Sequence, residues 1–154
     1  MVIFYEVKKV EGTAPLFFEY SKKLEDFQFS LMPVLKEKGY SLTEGLDEIT
    51  GFILYINNEP VGSIGLKKID KEICEIVRVF IDEKYRGKGH ARLLFEYAEN
   101  YAKELGFKKA EMVAWCKATF ALALYKKLNF ISSLPKESEW FTGLEYVELF
   151  KELL

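Results

Sequence analysis

The sequence contains few of the residues that build metal centres, disulfide frameworks or nucleophilic triads. Its 154 residues include two cysteines, Cys74 and Cys116, and one histidine, His90. These side chains supply neither a zinc-ligand spacing nor a disulfide framework, and Ser-His-Asp or Cys-His catalysis would depend entirely on His90. We therefore expect no bound metal. Unpaired thiols of this kind are typical of a reducing, cytoplasmic location.

Long apolar runs and an excess of one charge are also missing. No stretch approaches the ~18 apolar residues that span a bilayer, and residues 1–12 lack the basic start and apolar core of an export signal. Lys and Arg total 22 against 24 Asp and Glu, a net charge of -2. This balance argues against bulk electrostatic binding, so we expect a soluble protein without a nucleic-acid or membrane partner.

The composition is that of one ordinary globular domain. Hydrophobic residues make up 49% of the chain and charged residues 30%, and no linker or repeat interrupts it. We therefore predict a single domain over residues 1–154. Apolar periodicity predicts mixed α and β structure, with strands at 2–10, 51–56, 61–69, 72–81, 109–115, 130–133 and 144–150, and helices at 13–32, 34–38, 89–105 and 118–128.

Two of the predicted helices have an apolar stripe that we expect to be buried. The first carries Leu16, Tyr20, Leu24 and Phe27 at helical spacing. The stripe of the long helix consists of Ala91, Leu94, Ala98, Tyr101 and Leu105.

The most informative segment is the glycine-rich basic loop that joins the strand ending at Ile81 to the long helix. Gly87 and Gly89 leave room for an anion to approach the main chain, and the first turn of a helix has N–H groups without intrahelical acceptors. Arg86, Lys88 and Arg92 add positive charge at the same point. This combination suits a pyrophosphate.

Other interpretations of this loop are weighed against that one. The G-x-x-x-x-G-K-[ST] phosphate loop is excluded, because the chain has no Gly-Lys-Ser or Gly-Lys-Thr. The dinucleotide fingerprint G-x-G-x-x-G starts at Gly87 and Gly89, but Arg92 replaces its third glycine and the loop follows hairpin strands. A tight turn with solvated basic side chains stays open.

The pattern R-x-x-G-x-A, at Arg86, Gly89 and Ala91, resembles motif A of the GNAT superfamily of N-acetyltransferases. Residues 75–81 upstream resemble the fourth strand of that family, and residues 121–130 downstream resemble its motif B. The resemblance implies an α+β fold with about four helices and a mostly antiparallel sheet splayed between strands 4 and 5. It also implies acetyl-CoA as cosubstrate in that opening, and a homodimer as a frequent assembly of the family.

The resemblance also implies which residues hold acetyl-CoA. The strand end would pair with the pantetheine arm mainly through backbone groups, and the loop would hold the pyrophosphate with its N–H groups. The implied cofactor-binding residues are Val79, Phe80, Ile81, Arg86, Gly87, Lys88, Gly89, His90, Ala91 and Arg92. His90 replaces a residue that is usually aliphatic, which favours a packed side chain over a catalytic one.

Two residues are catalytic candidates by the same resemblance. Glu75 corresponds to the catalytic glutamate of the histone acetyltransferase branch, where desolvation would raise its pKa towards that of a general base. The alternative is an exposed strand glutamate paired with Arg78 or a lysine. Tyr125 corresponds to the tyrosine near the CoA sulfur and would stabilise the departing thiolate. The alternative is a core tyrosine with a satisfied hydroxyl.

The chain departs from the family pattern at Ala118, where an asparagine that binds pantetheine is usual, and more mildly at Asn129.

An acidic loop, Glu44, Asp47 and Glu48, and nearby aromatics lie where the superfamily shapes its acceptor site and could attract a cationic amine. The alternative is core aromatics beside a solvated loop. These aromatics are Phe17, Phe18, Phe27, Phe29 and Tyr40.

The expected function is an acetyl-CoA-dependent N-acetyltransferase, in which the primary amine of a small molecule attacks the thioester directly in a ternary complex. Three alternatives stay open. One is a noncatalytic acyl-CoA-binding or regulatory module, which is suggested by Ala118 in place of the usual asparagine. Another is a protein or peptide N-acetyltransferase. The third is a nucleotide-binding oxidoreductase.

Overall fold

The computed structural model describes residues 2–154 and contains one eight-stranded sheet with helices on both faces. Met1, part of the predicted 1–154 domain, lies outside the described residues. The strands are β1 Tyr5–Glu11, β2 Ile49–Ile56, β3 Glu59–Lys68, β4 Ile73–Ile81, β5 Lys109–Trp115, β6 Ile131–Ser132, β7 Lys136–Glu137 and β8 Glu145–Glu152. The helices are α1 Pro15–Leu31, α2 Pro33–Glu37, α3 His90–Glu104 and α4 Thr119–Lys127.

The strand order is β1-β2-β3-β4-β5-β8-β6, and β7 also pairs with β8. Every pair is antiparallel except β4 and β5, which are parallel. That pair has only three residues in register, Ile73 with Lys109, Cys74 with Ala110 and Glu75 with Glu111. The sheet opens beyond this point. The predicted α+β fold, with four helices and a sheet splayed between strands 4 and 5, is confirmed.

The main core lies between the sheet and helices α3 and α4. It contains Phe95 and Ala98 of α3 together with Tyr125 and Leu128 of α4. A second cluster lies on the opposite face under α1, with Phe17 at its centre. Phe17 needs glycine beneath it, because a Cβ at Gly51 or Gly65 would come within 2.6 or 2.9 Å of its ring. A third cluster surrounds α2 and contains Met32, Leu35 and Leu144.

The buried faces of two helices differ from the predicted stripes. In α1 the buried residues are Phe17, Tyr20, Ser21 and Glu25, whereas Phe27 is exposed. The reason is that Ser21 and Glu25 have internal partners, the carbonyl of Phe17 and the amide of Leu42. The long-helix stripe is wrong at Leu105, which is exposed beyond the end of α3, and the residues buried in α3 are His90, Leu94, Phe95, Ala98, Glu99 and Ala102.

Most predicted strands and helices are present, and the bounds of β5 match the prediction. The two-residue strand β7 was not predicted, since so short a segment has no periodicity to detect. Within residues 2–154, no helix combines the length and the apolar character that crossing a membrane requires.

Candidate active site

A bulge in β4 lies beside the opening of the sheet. The β3–β4 register shifts between Ser63 and Gly65, and opposite this shift Arg78 has a φ of 55°, in the left-handed region. The bulge reverses the alternation of the strand: Val77 packs on the α1 side, whereas Val79 packs on the α3 side. Among residues 2–154 with positive φ, Arg78 is the one that is neither glycine nor asparagine.

The edge of β4 beyond the bulge is available to a ligand. Parallel pairing with β5 ends at Glu75, so residues 76–81 have no described strand beside them on that edge. Val79 and Ile81 belong to the α3 side, whereas the Phe80 ring lies 6.1 Å from the Tyr20 ring on the α1 side. The segment 79–81 named in the sequence analysis is therefore at the opening, and its unpaired edge can accept an extended chain.

Arg86 fastens the following loop to the end of β4. Its Nε donates a hydrogen bond of 2.8 Å to the Ile81 carbonyl, and its guanidinium lies 5.1 Å from the Phe80 ring centroid and 5.7 Å from that of Phe27. The side chain is thus engaged within the protein. The other two cations named for this site, Lys88 in the loop and Arg92 in the first turn of α3, are exposed.

The glycines of the loop form an open cradle. Gly87 and Gly89 have φ values of +74° and +82°, and no atom lies within 4 Å of a Cβ built on either residue. No hydrogen bond is donated to any group of residues 2–154 by the amides of Gly87, Lys88 or Gly89. Gly89 caps α3, whose first turn, including Ala91, supplies further N–H groups without intrahelical acceptors. The cradle therefore fits an anion such as a pyrophosphate.

His90 is a packed side chain at the start of α3. It is 7% exposed, and its ring centroid lies 5.8 Å from that of Tyr5 and 6.2 Å from that of Tyr85. Burial lowers the pKa of His90, and the nearby charge of Lys88 lowers it further. The imidazole is therefore neutral near pH 7, and His90 contributes its backbone rather than a charge to the cradle.

Glu75 is half-buried at the point where the sheet opens. Burial raises the pKa of Glu75 and Glu111 raises it further, against the opposing effects of Lys67 and Arg78. No ion pair within 4.0 Å joins Glu75 to another of the described residues, so the paired-glutamate alternative is not what the structure contains. Together with Glu111 it lines a groove of about 250 Å³.

Tyr125 is a buried residue of α4. It is 8% exposed, and its ring centroid lies 5.8 Å from that of Phe95 and 6.4 Å from that of Phe130. Burial raises the pKa of Tyr125 to about 12. Its hydroxyl forms no hydrogen bond with residues 2–154. The Tyr125 ring is therefore part of the core, and its hydroxyl is free to donate a hydrogen bond to a ligand.

The acidic and aromatic residues that were predicted to shape the acceptor site do not form one cluster in the structure. Glu48 pairs with Lys67 at 3.3 Å, while Glu44 and Asp47 are exposed. The aromatics separate into three groups: Phe17 is core under α1, Phe29 and Tyr40 pack around α2, and Phe18 and Phe27 are exposed.

Sequence reasoning missed Arg78 as a site residue. Its Nε donates a 2.8 Å hydrogen bond to the Leu42 carbonyl, which ties β4 to the acceptor segment. The available signal was a cation in a strand whose other residues, apart from Glu75, are apolar. The bulge that directs the Arg78 side chain towards Leu42 has no recognisable sequence pattern.

The fold and the loop point to one family of proteins, and comparison with known proteins identifies it. The profile of the Acetyltransferase (GNAT) family matches residues 16–130, well over half of the chain. The chain therefore belongs to the GNAT family of acetyltransferases, as the sequence resemblance predicts.

Two related sequences illustrate this membership. The chain is 32% identical over 90 residues to an uncharacterized N-acetyltransferase of Methanocaldococcus jannaschii, a match that covers 54% of this chain and 40% of the relative. It is 29% identical over 107 residues to the uncharacterized N-acetyltransferase YjgM of Escherichia coli, covering 61% of this chain and 64% of the relative. The matches thus span less than two thirds of either relative.

Two solved structures share the fold over nearly the full chain. A putative acyl-CoA N-acyltransferase from Klebsiella pneumoniae has a TM-score of 0.78 at 19% identity, with 97% of this chain and 98% of that chain covered. A GNAT family acetyltransferase from Elizabethkingia anophelis with acetyl-CoA bound has a TM-score of 0.68 at 19% identity, with 97% and 98% covered.

Proposed function

We propose that the protein transfers an acetyl group from acetyl-CoA to the primary amine of a small molecule. The observation that carries the proposal is the combination of an unpaired β4 edge with a loop of unengaged amides at the start of α3. Both lie on one continuous segment of chain, residues 76–92. The structure of the Elizabethkingia anophelis acetyltransferase, which holds acetyl-CoA, supports this choice of cosubstrate.

The proposed binding mode uses the main chain more than side chains. Backbone groups of residues 79–81 would pair with the pantetheine arm, and the N–H groups from Gly87 to Arg92 would hold the pyrophosphate. Lys88 and Arg92 would add charge from the exposed side. Bound in this way, acetyl-CoA supplies an activated acetyl thioester at the opening of the sheet.

Glu75 is proposed as the base that accepts the proton of the amine. An amine with a pKa of ~10.4 is almost fully protonated near pH 7, and generating its free base costs about 4.6 kcal/mol. Burial raises the pKa of Glu75 from its ordinary value, which improves the carboxylate as a proton acceptor. The groove beside Glu75 gives an amine, or a bridging water, access to the carboxylate.

Tyr125 is proposed to donate a hydrogen bond to the departing thiolate. With a pKa of about 12, its hydroxyl keeps its proton throughout the physiological range and serves as a donor. The lack of a protein partner for this hydroxyl leaves the donor available. Glu75 faces the α1 side of the sheet and Tyr125 belongs to the core on the α3 side, so a ligand would contact both only through the gap between β4 and β5.

The test measures two quantities on the purified chain: binding of CoA by calorimetry, and release of CoA from acetyl-CoA across a panel of small amines. We expect binding, and release that depends on the amine. Glu75→Gln and Tyr125→Phe should retain binding but release CoA more slowly, whereas Glu72→Gln, on an exposed turn, should behave as wild type. Unchanged release in both site variants would refute the assigned roles.

The same experiment tests two other functions. Binding of CoA with no release for any amine would refute transfer and support a noncatalytic acyl-CoA-binding module, which Ala118 favours. Release that requires a peptide amine, with small amines inert, would support a protein or peptide N-acetyltransferase instead.

A further inference from the structure

Arg78 is a cation held in a fixed position on the acceptor side of the opening. It is half-buried, its Nε donates to the Leu42 carbonyl at 2.8 Å, and its Nη2 lies 3.5 Å from the Glu44 carbonyl. The bulge fixes its backbone, and Ser63 holds the bulge through a 2.9 Å hydrogen bond to the Arg78 carbonyl. The guanidinium is therefore positioned before any ligand arrives.

Within residues 2–154, no carboxylate lies within 4.0 Å of this guanidinium. Arg86, by contrast, has its guanidinium covered by two aromatic rings. Two carbonyl oxygens do not neutralise a charge, and the Nη1 group makes no hydrogen bond to the described residues. A half-buried cation without a counter-ion is costly, which an anion bound next to it would offset.

The position of Arg78 relative to the proposed base is also defined. Glu75 precedes Arg78 by three residues on β4, and the opposing effects of the two charges on each other's pKa agree with this proximity. A molecule that reaches Glu75 with its amine thus meets a fixed guanidinium nearby. Guanidinium groups bind carboxylate and phosphate in a planar, two-point arrangement.

We propose that the acceptor is an amine that also carries a compact oxyanion, a carboxylate or a phosphate, and that Arg78 binds this oxyanion while the amine faces Glu75. This inference rests on the proposed acetyltransferase function and narrows its acceptor class. It departs from the expectation that the acidic loop attracts a cationic amine, because Glu48 of that loop is already paired with Lys67.

The competing explanation is that Arg78 only pins residues 42–44 to β4. The two explanations differ in one measurable respect. If Arg78 only holds residues 42–44 in place, its loss lowers kcat/KM equally for every acceptor. If Arg78 binds an oxyanion, its loss lowers kcat/KM only for acceptors that carry the oxyanion. The test therefore compares matched acceptors rather than total activity.

The panel consists of unbranched amino acids with two to six carbons, the amino alcohols of equal length, and the corresponding aminoalkyl phosphates. We expect wild type to prefer an anionic acceptor over its amino alcohol by about tenfold or more in kcat/KM, as the loss of a charged hydrogen bond implies. Arg78→Gln should abolish that preference through KM and leave the amino alcohols within about threefold of wild type. Lys67→Gln, which removes a different cation near Glu75, should keep the preference.

A second readout is independent of turnover. The preferred anionic acceptor should raise the Tm of wild type but not of Arg78→Gln. Equal losses for all acceptors in Arg78→Gln, or no preference in wild type, would overturn the inference while leaving acetyl transfer intact. Tm shifts that require Arg78, in a protein that releases no CoA, would refute the proposed function and retain the oxyanion site. Preference for the aminoalkyl phosphates over the amino acids would identify phosphate as the oxyanion.

Discussion

Ser63 on β3 donates a hydrogen bond of 2.9 Å to the main-chain carbonyl of Arg78 on β4. Ser63 is fully buried, and its partner has a φ of 55°. A left-handed conformation costs a non-glycine residue roughly 1–2 kcal/mol, so the bulge persists because its surroundings hold it. This single bond thus connects the β3–β4 register to the residue that faces the acceptor side.

Ser63→Ala should destabilise the fold by about 1–3 kcal/mol, because it leaves the partly buried Arg78 carbonyl without this donor. Urea denaturation measures the free energy of unfolding. Ser132→Ala is the matched control, since that hydroxyl bonds to an exposed neighbouring carbonyl, and it should change stability by less than about 0.5 kcal/mol. Equal effects of the two substitutions would show that the bulge does not depend on Ser63.

The bulge also marks the limit of what the sequence could predict. Strand β4 was predicted from its apolar composition, and the loop and helix after it from glycine and charge, because those signals are local. The bulge at Arg78 depends on Ser63, a residue of another strand, and on two carbonyls of a distant loop. Such nonlocal partners leave no periodicity. For the same reason, the burial of Ser21 and Glu25 in α1 was not predicted.

The candidate site was likewise predicted only where its features depend on local sequence. The Gly87 and Gly89 cradle was predicted from residue type, since positive φ and open space above the main chain are properties of glycine itself. The engagement of Arg86 with the Ile81 carbonyl and two aromatic rings was not predicted. A sequence gives the charge of a loop residue but not the direction in which its side chain folds.

Gly89→Ala should lower the affinity for CoA by about tenfold, the loss expected for one charged hydrogen bond. The added methyl group would lie in the open cradle, and φ at this position is +82°. Gly106→Ala is the matched control: Gly106 has a φ of +93°, also in open space, at the other end of α3.

Both variants should lose a similar amount of stability, roughly 1–2 kcal/mol, because both place a Cβ in the left-handed region. Calorimetric titration with CoA separates them, since only Gly89→Ala should bind more weakly. If Gly106→Ala lost as much affinity, the effect would come from general destabilisation, and the cradle would not be the pyrophosphate site.

The acidic limb of kcat/KM should report the ionisation of Glu75. Burial raises the pKa of this carboxyl, so the limb should lie at higher pH than the ordinary glutamate value of ~4.3. Glu75→Gln should abolish the limb. Lys67→Met should move it to higher pH, because Lys67 lowers the pKa of Glu75. A limb that persists in Glu75→Gln would assign the base to another group.

Glu75 should also affect stability, with a defined sign. A carboxyl whose pKa is raised in the folded state binds more protons there than in the unfolded chain, so its contribution to stability falls as pH rises from the ordinary pKa to the raised one. Above that window the ionised carboxylate costs stability, and Glu75→Gln should unfold at the same or higher urea concentration than wild type at pH 7. A clear loss of stability would indicate that the carboxylate makes a structural interaction in the folded state.

Tyr125→Phe should separate catalysis from packing at one residue. The substitution keeps the ring contacts with Phe95 and Phe130 and removes only a hydroxyl that has no partner among residues 2–154, so stability should be unchanged or slightly increased. Without the hydrogen bond to the developing thiolate, kcat should fall by roughly 10- to 1000-fold, with KM for acetyl-CoA little changed. Single-turnover release of CoA measures this step directly.

The pH dependence of the Tyr125→Phe variant supplies the decisive comparison. Because the pKa of Tyr125 is about 12, the hydroxyl stays protonated at all pH values where the fold is assayed, and its removal should lower the rate by the same factor from pH 6 to pH 9. If the ratio of wild-type to Tyr125→Phe rates grew with pH, the Tyr125 hydroxyl would titrate within this range. The hydroxyl would then lie in a more polar environment than its buried position in α4 provides. A rate equal to that of wild type throughout would leave Tyr125 as a core residue, and stabilisation of the leaving group would then have to come from backbone N–H groups along the opening of the sheet.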